Sequence, residues 1–74
     1  MTAKKENIIG ANIKRLRAEM GVTQQKMSHD LYITRSCLGN YEIGSRIPNQ
    51  DTMRSIAHYF SVDVQDLTEG AKMK

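Results

Sequence analysis

Three times between Val22 and Leu67 the chain repeats one local pattern: an apolar residue, then Thr or Asp, then another apolar residue four positions after the polar one. It reads Val22-Thr23…Met27, Ile33-Thr34…Leu38 and Val62-Asp63…Leu67. A helix start needs this arrangement, because the Thr or Asp oxygen accepts a backbone N–H that the first turn leaves without a partner, while the flanking apolar pair closes over it as a staple. The full capping box is missing from the first two, whose third helical position is Lys26 or Cys37. One such pattern is weak evidence. Three, each opening a segment of helical length, predict helices that start near residues 24, 35 and 64.

Two further helices complete the series. Ile9, Ile13, Leu16 and Met20 recur with a 3.6-residue period and predict a helix over about 8 to 20, with Gly21 as its left-handed stop. Later, Pro48 blocks extension of the preceding segment, Asn49 can cap, and Met53, Ile56, Ala57 and Phe60 mark one face of a further helix. No alternating apolar and polar run is long enough for a strand, and no repeat appears, so the expected fold is all-α: a compact five-helix domain. Short links force the apolar faces onto one core, drawn from Ile9, Ile13, Leu16, Met27, Leu31, Leu38, Tyr41, Met53, Ile56, Ala57, Phe60 and Leu67. Residues 1–7 read as a fraying polar segment, 8–70 as the domain and 71–74 as a polar tail.

Size narrows the functions available. A chain of 74 residues buries only roughly 60% of the surface its unfolded form exposes, which disfavours a deep catalytic cleft. No apolar stretch approaches the roughly 20 residues of a membrane span, and a cytoplasmic location is expected. The single cysteine, Cys37, excludes an internal disulfide, and no Cys/His cluster offers a zinc site; no cofactor or metal is expected. The net charge of +3 is unevenly spread, since residues 1 to 37 carry seven basic and three acidic side chains and residues 38 to 74 carry four and five. That asymmetry is a weak pointer to an anionic partner such as nucleic acid; by itself it fits a solvated surface better.

The predicted helices at about 24–31 and 35–43 are separated only by Tyr32, Ile33 and Thr34, which is helix-turn-helix spacing. A turn of this length sets two helices steeply enough for the second to enter the DNA major groove while the first crosses the backbone. The stretches Ile13-Lys-Arg-Leu-Arg17, Gly21-Val-Thr-Gln24, Thr34-Arg-Ser-Cys-Leu38, Tyr41-Glu-Ile-Gly44, Pro48 and Phe60-Ser-Val-Asp-Val-Gln-Asp-Leu67 resemble the helix-turn-helix domains of the lambda-repressor and Cro type, also known as the xenobiotic-response-element type, over about residues 8 to 70.

On the recognition helix, a rotation of 100° per residue turns Leu38, Tyr41 and Glu42 to one side and Ser36, Gly39, Asn40 and Ile43 to the other, with Arg35 at the entrance. Arg can pair with guanine O6 and N7, Asn with adenine N6 and N7, and Ser with several base edges. The expected base-contacting set is therefore Arg35, Ser36, Gly39, Asn40 and the capping Thr34, with Arg35 and Asn40 foremost; the resemblance also implies a base contact for Ser36. Gly39 costs a helix about 1 kcal/mol relative to alanine and either lets the helix lie closer to the bases or is simply tolerated. Ile43 departs from the family's polar or basic residue and suits a thymine methyl or a partner chain. Phosphate contacts are expected from Gln24 and Thr23 at the start of the first motif helix, from Ser45 and Arg46 after the second, and from Lys26. The resemblance implies the phosphate role of Gln24, and it implies a partly buried Arg17–Glu42 ion pair. Tyr32 stands where the family usually has glycine, so either the turn differs or strain is tolerated.

The function that follows from the resemblance is a sequence-specific regulator binding double-stranded DNA, expected to be a repressor acting as a homodimer on a two-fold operator. The dimer is expected to pair through Tyr59, Val62, Val64 and Leu67, unless these residues merely finish the monomer core. An antitoxin-type module of the same fold, binding a protein partner, is the alternative; stable co-purification with a toxin separates the two. An enzyme is disfavoured, because Ser28, His29, Ser36, Cys37 and His58 are scattered without a nucleophile, base and orienter set.

Overall fold

The computed structural model describes residues 8–69, so the segments expected at 1–7 and 71–74, with Gly70, lie outside the described residues. All regular structure among the described residues is helical: α1 (Ile8–Met20), α2 (Gln24–Asp30), α3 (Arg35–Ile43), α4 (Gln50–Phe60) and α5 (Val64–Thr68). Each of the three repeated sequence patterns opens a helix. Thr23 Oγ1 accepts from Lys26 N and Thr34 Oγ1 from Cys37 N, both at 3.0 Å, while Asp63 N donates to the Asp66 carboxylate at 3.1 Å. The stapling residues Met27, Leu38 and Leu67 are all at 0% exposure, and Val22, Ile33 and Val62 pack against them from the flanks. Asn49 Oδ1 caps α4 through Thr52 N at 2.9 Å.

α1 is the central element and packs on α3, α5 and α4. Ile13, Met27, Leu38, Tyr41, Met53, Ile56, Ala57 and Leu67 form the buried core, with Ile9, Leu16, Leu31 and Phe60 as its partly buried margin. Met20, periodic with the apolar face of α1, is 49% exposed, because the helix runs past the edge of the core before Gly21 turns the chain away at φ +77°. Of the residues expected either to pair two chains or to finish the monomer core, Leu67 is fully buried and belongs to the core, while Tyr59, Val62 and Val64 are partly buried and pack on it.

Two buried or half-buried polar ties join distant elements, and the sequence signals neither directly. Asn12, 4% exposed on α1, donates through Nδ2 to the carbonyls of Leu67 and Glu69 at 2.9 Å each, with Asp66 O at 3.4 Å. These are among the carbonyls that a short C-terminal helix leaves without intrahelical partners. Asn12 thereby fastens α5 to α1. Tyr59 Oη donates to Asp30 Oδ2 at 2.7 Å, linking α4 to the end of α2. Among the described residues, no helix is long and apolar enough to cross a membrane.

Candidate nucleic-acid interface

The turn between α2 and α3 is built on a strained residue. Tyr32 adopts φ +60° and is 95% exposed, so a left-handed backbone that favours glycine is held here by a tyrosine at the expense of local strain. Ile33 N returns to Ser28 O at 3.0 Å and Leu31 N to Met27 O at 3.0 Å, closing the turn without a glycine.

α3 presents the two faces its sequence implies. Leu38, Tyr41 and Glu42 point inward at 0%, 8% and 4% exposure. On the other side, Arg35, Ser36, Gly39, Asn40 and Ile43 line a shallow open groove together with Gln24 from the start of α2. Thr34, expected among the base-contacting residues, caps α3 through its oxygen, which accepts from Cys37 N at 3.0 Å. Gly44, at φ +86°, ends the helix, and Ser45 and Arg46 then fold back so that both backbone N–H groups reach Asn40 O, at 3.0 and 3.2 Å. The loop carrying Arg46 is thus pinned to the last turn of α3.

Behind the groove lies the domain's buried charge. Glu42 receives Arg17 in a two-pronged contact, Nε to Oε2 at 2.7 Å and Nη2 to Oε1 at 3.2 Å, while Arg17 Nη1 donates to Val22 O at 3.0 Å. Such a fork is geometrically demanding and joins α1 to α3. A third donor, Gln24 Nε2, reaches Oε1 at 3.0 Å. Because a carboxylate only accepts hydrogen bonds, Glu42 fixes which end of the Gln24 amide faces inward, leaving its carbonyl oxygen and second N–H for the groove. The sequence did not foretell this coupling of the ion pair to a groove residue.

The remaining cations sort themselves by partner. Arg15 pairs with Glu19, Lys26 with Asp30 and Arg54 with Asp51, all at the surface. Lys26, expected to meet phosphate, is thus already held by a carboxylate on its own helix. Among the described residues, Lys14, Arg35 and Arg46 make no ion pair, and two of these three bracket α3. Cys37 sits half-buried against Tyr41, whose hydroxyl is pushed above its ordinary pKa first by the hydrogen bond with Cys37 and then by burial.

The sequence matches the helix-turn-helix domain family over residues 10–72. It is similar to the HTH-type transcriptional activator BcrR of Enterococcus faecalis, 28% identical over 61 residues that cover 82% of this chain and 30% of that protein. Two proteins of Bacillus subtilis (strain 168) are also similar: the uncharacterized HTH-type transcriptional regulator YqaE (37% identity, 80% of this chain, 51% of that one) and the SPbeta prophage-derived uncharacterized HTH-type transcriptional regulator YonR (33%, 85% and 58%). The chain spans less than two thirds of the length of each of these relatives. Its fold is similar to the solution structure of the SOS-response transcriptional repressor LexA from Eubacterium rectale, with a TM-score of 0.88 at 22% identity over 96% of this chain and 76% of that one. The α2–α3 geometry and the match across nearly all of the described residues agree, and the chain belongs to the helix-turn-helix domain family.

Proposed function

We propose that this domain binds double-stranded DNA with α3 in the major groove, as the reading head of a transcriptional regulator that acts as a dimer on a two-fold operator. The carrying observation is the exposed polar face of α3 between two cations, Arg35 and Arg46, that make no ion pair among the described residues. In this reading Asn40, Ser36 and Arg35 contact base edges, and Arg46, Ser45, Thr23 and Gln24 contact phosphates. The hydroxyls of Thr23 and Thr34 accept from helix N–H groups and keep a proton to donate to a phosphate oxygen. Lys26 adds only a screened charge while Asp30 holds it. Family membership makes the domain a binding module and not an enzyme.

A single domain of this size offers few base contacts, so two copies on half-sites one helical turn apart supply the affinity. The second copy would meet the surface around Val64, beside the mostly apolar hollow formed with Met53 and Thr68. Repression needs only that the bound pair occlude a promoter, and a reporter driven through the selected site decides between this and activation. Selection of duplexes from a random pool tests the whole reading: it should return inverted half-sites, whereas failure to enrich any duplex contradicts it.

A further inference from the structure

Nothing among the described residues requires a glycine at position 39. It lies in the middle of α3, where glycine is unfavourable, and it does not have the positive φ that makes Gly21 and Gly44 useful. Nor is space the reason, since a Cβ built at Gly39 would meet only the Gln24 amide nitrogen at 3.9 Å, an ordinary contact. The missing side chain leaves a gap on the groove side alone. One turn later on the same face stands Ile43, 69% exposed although it is among the most apolar residue types. A helix glycine without a positive φ or a close neighbour, followed at i+4 by a largely exposed isoleucine, makes an apolar notch in a surface otherwise formed by Asn40, Ser36 and Arg35.

Building on the proposed DNA-binding function, we propose that this notch takes the C5-methyl group of a thymine, so that Gly39 and Ile43 specify a T·A pair by shape while Asn40 reads an adjacent edge by hydrogen bonding. The thymine methyl is the apolar feature that distinguishes base pairs in the major groove. It is about the size of the absent Cβ, and the Ile43 side chain would cover it from one side. Gly39 thus lets the methyl approach the helix backbone, and Ile43 removes it from water.

Replacing each thymine of a selected duplex singly by deoxyuridine deletes the methyl and nothing else. For the native domain, one thymine per half-site should then weaken binding about three- to tenfold, the scale expected for burying one methyl from both sides. In Ile43→Ala the same replacement should have little effect. Gly39→Ala should melt at a higher temperature, as alanine suits a helix, yet bind the thymine duplex several-fold more weakly; a merely tolerated glycine would give the higher melting temperature with unchanged binding. If native binding is indifferent to uracil at every position while Asn40→Ala still lowers affinity, the notch proposal is overturned and the DNA-binding reading stands. If no duplex is bound at all, the DNA-binding reading itself falls.

Discussion

Glu42 is the most demanding residue to keep buried in the described structure, and three side-chain donors surround it. Glu42→Ala should cost roughly 3 to 5 kcal/mol, because Arg17, itself only 17% exposed, loses its counter-charge. Against a total stability of about 5 to 15 kcal/mol, this should lower the melting temperature strongly. The double variant Arg17→Met, Glu42→Leu should recover most of the loss, since replacing both charges by apolar groups removes the uncompensated one. Thermal melts of both variants check this, and a single variant that melts like the native protein would mean the pair contributes nothing. The resemblance to the family suggested the pair; the third donor, Gln24, was not legible, because helical periodicity places a side chain on a face without saying which end of an amide turns inward. Asn12 shows the same limit. It sits among Ile9, Ile13 and Leu16 on α1, where a polar residue needs a buried partner, but that partner is backbone more than fifty positions away.

At the scale of elements, the turn and the last helix carry the clearest expectations. Tyr32→Gly should stabilise the domain by about 0.5 to 1 kcal/mol: the relieved left-handed strain of about 1 to 2 kcal/mol exceeds the added freedom of the unfolded glycine chain. An exposure of 95% means that no packing is lost. Denaturant titration gives the sign, and a destabilised variant would show that the tyrosine side chain makes a stabilising contact. α5 has only five residues and is held by Leu67 below and Asn12 at its end. Leu67→Asp should therefore leave the domain unfolded, with the loss of its helical circular dichroism, where a surface residue would have given a folded monomer. Helix starts were readable with little error because caps and staples are local chemistry. The role of Leu67 was not, since an apolar residue on a short helix looks the same whether it faces a core or a partner.

The whole molecule responds to pH through the tie between Tyr59 and Asp30. Burial, followed by the Asp30 carboxylate, pushes the Tyr59 hydroxyl up to about 12, whereas an unfolded tyrosine titrates near about 10. Between these values the unfolded chain releases a proton that the folded one retains, so the stability contributed by the tie is intact below about 10 and lost as pH rises toward about 12. Across that window the melting temperature of the native protein should fall more steeply than that of Tyr59→Phe; parallel slopes would show that the hydroxyl titrates freely. At the acid end the sign is opposite. Asp30 is held below its ordinary value by the Tyr59 hydrogen bond and then by Lys26, so its contribution disappears as pH falls through that lowered value.

In the proposed DNA complex the groove face of α3 reads base edges while Arg46, in the loop pinned to its last turn, holds a phosphate. Salt titrations of the native domain, Asn40→Ala and Arg46→Ala on a selected and a random duplex measure both parts at once. Asn40→Ala should lose about 1 to 3 kcal/mol on the selected duplex and little on the random one, with the salt slope unchanged. Arg46→Ala should weaken both duplexes by similar factors and flatten the dependence of log affinity on log salt by about one, as one fewer phosphate is neutralised. Equal weakening of both duplexes by Asn40→Ala, or an unchanged salt slope in Arg46→Ala, would contradict this assignment of reading and holding.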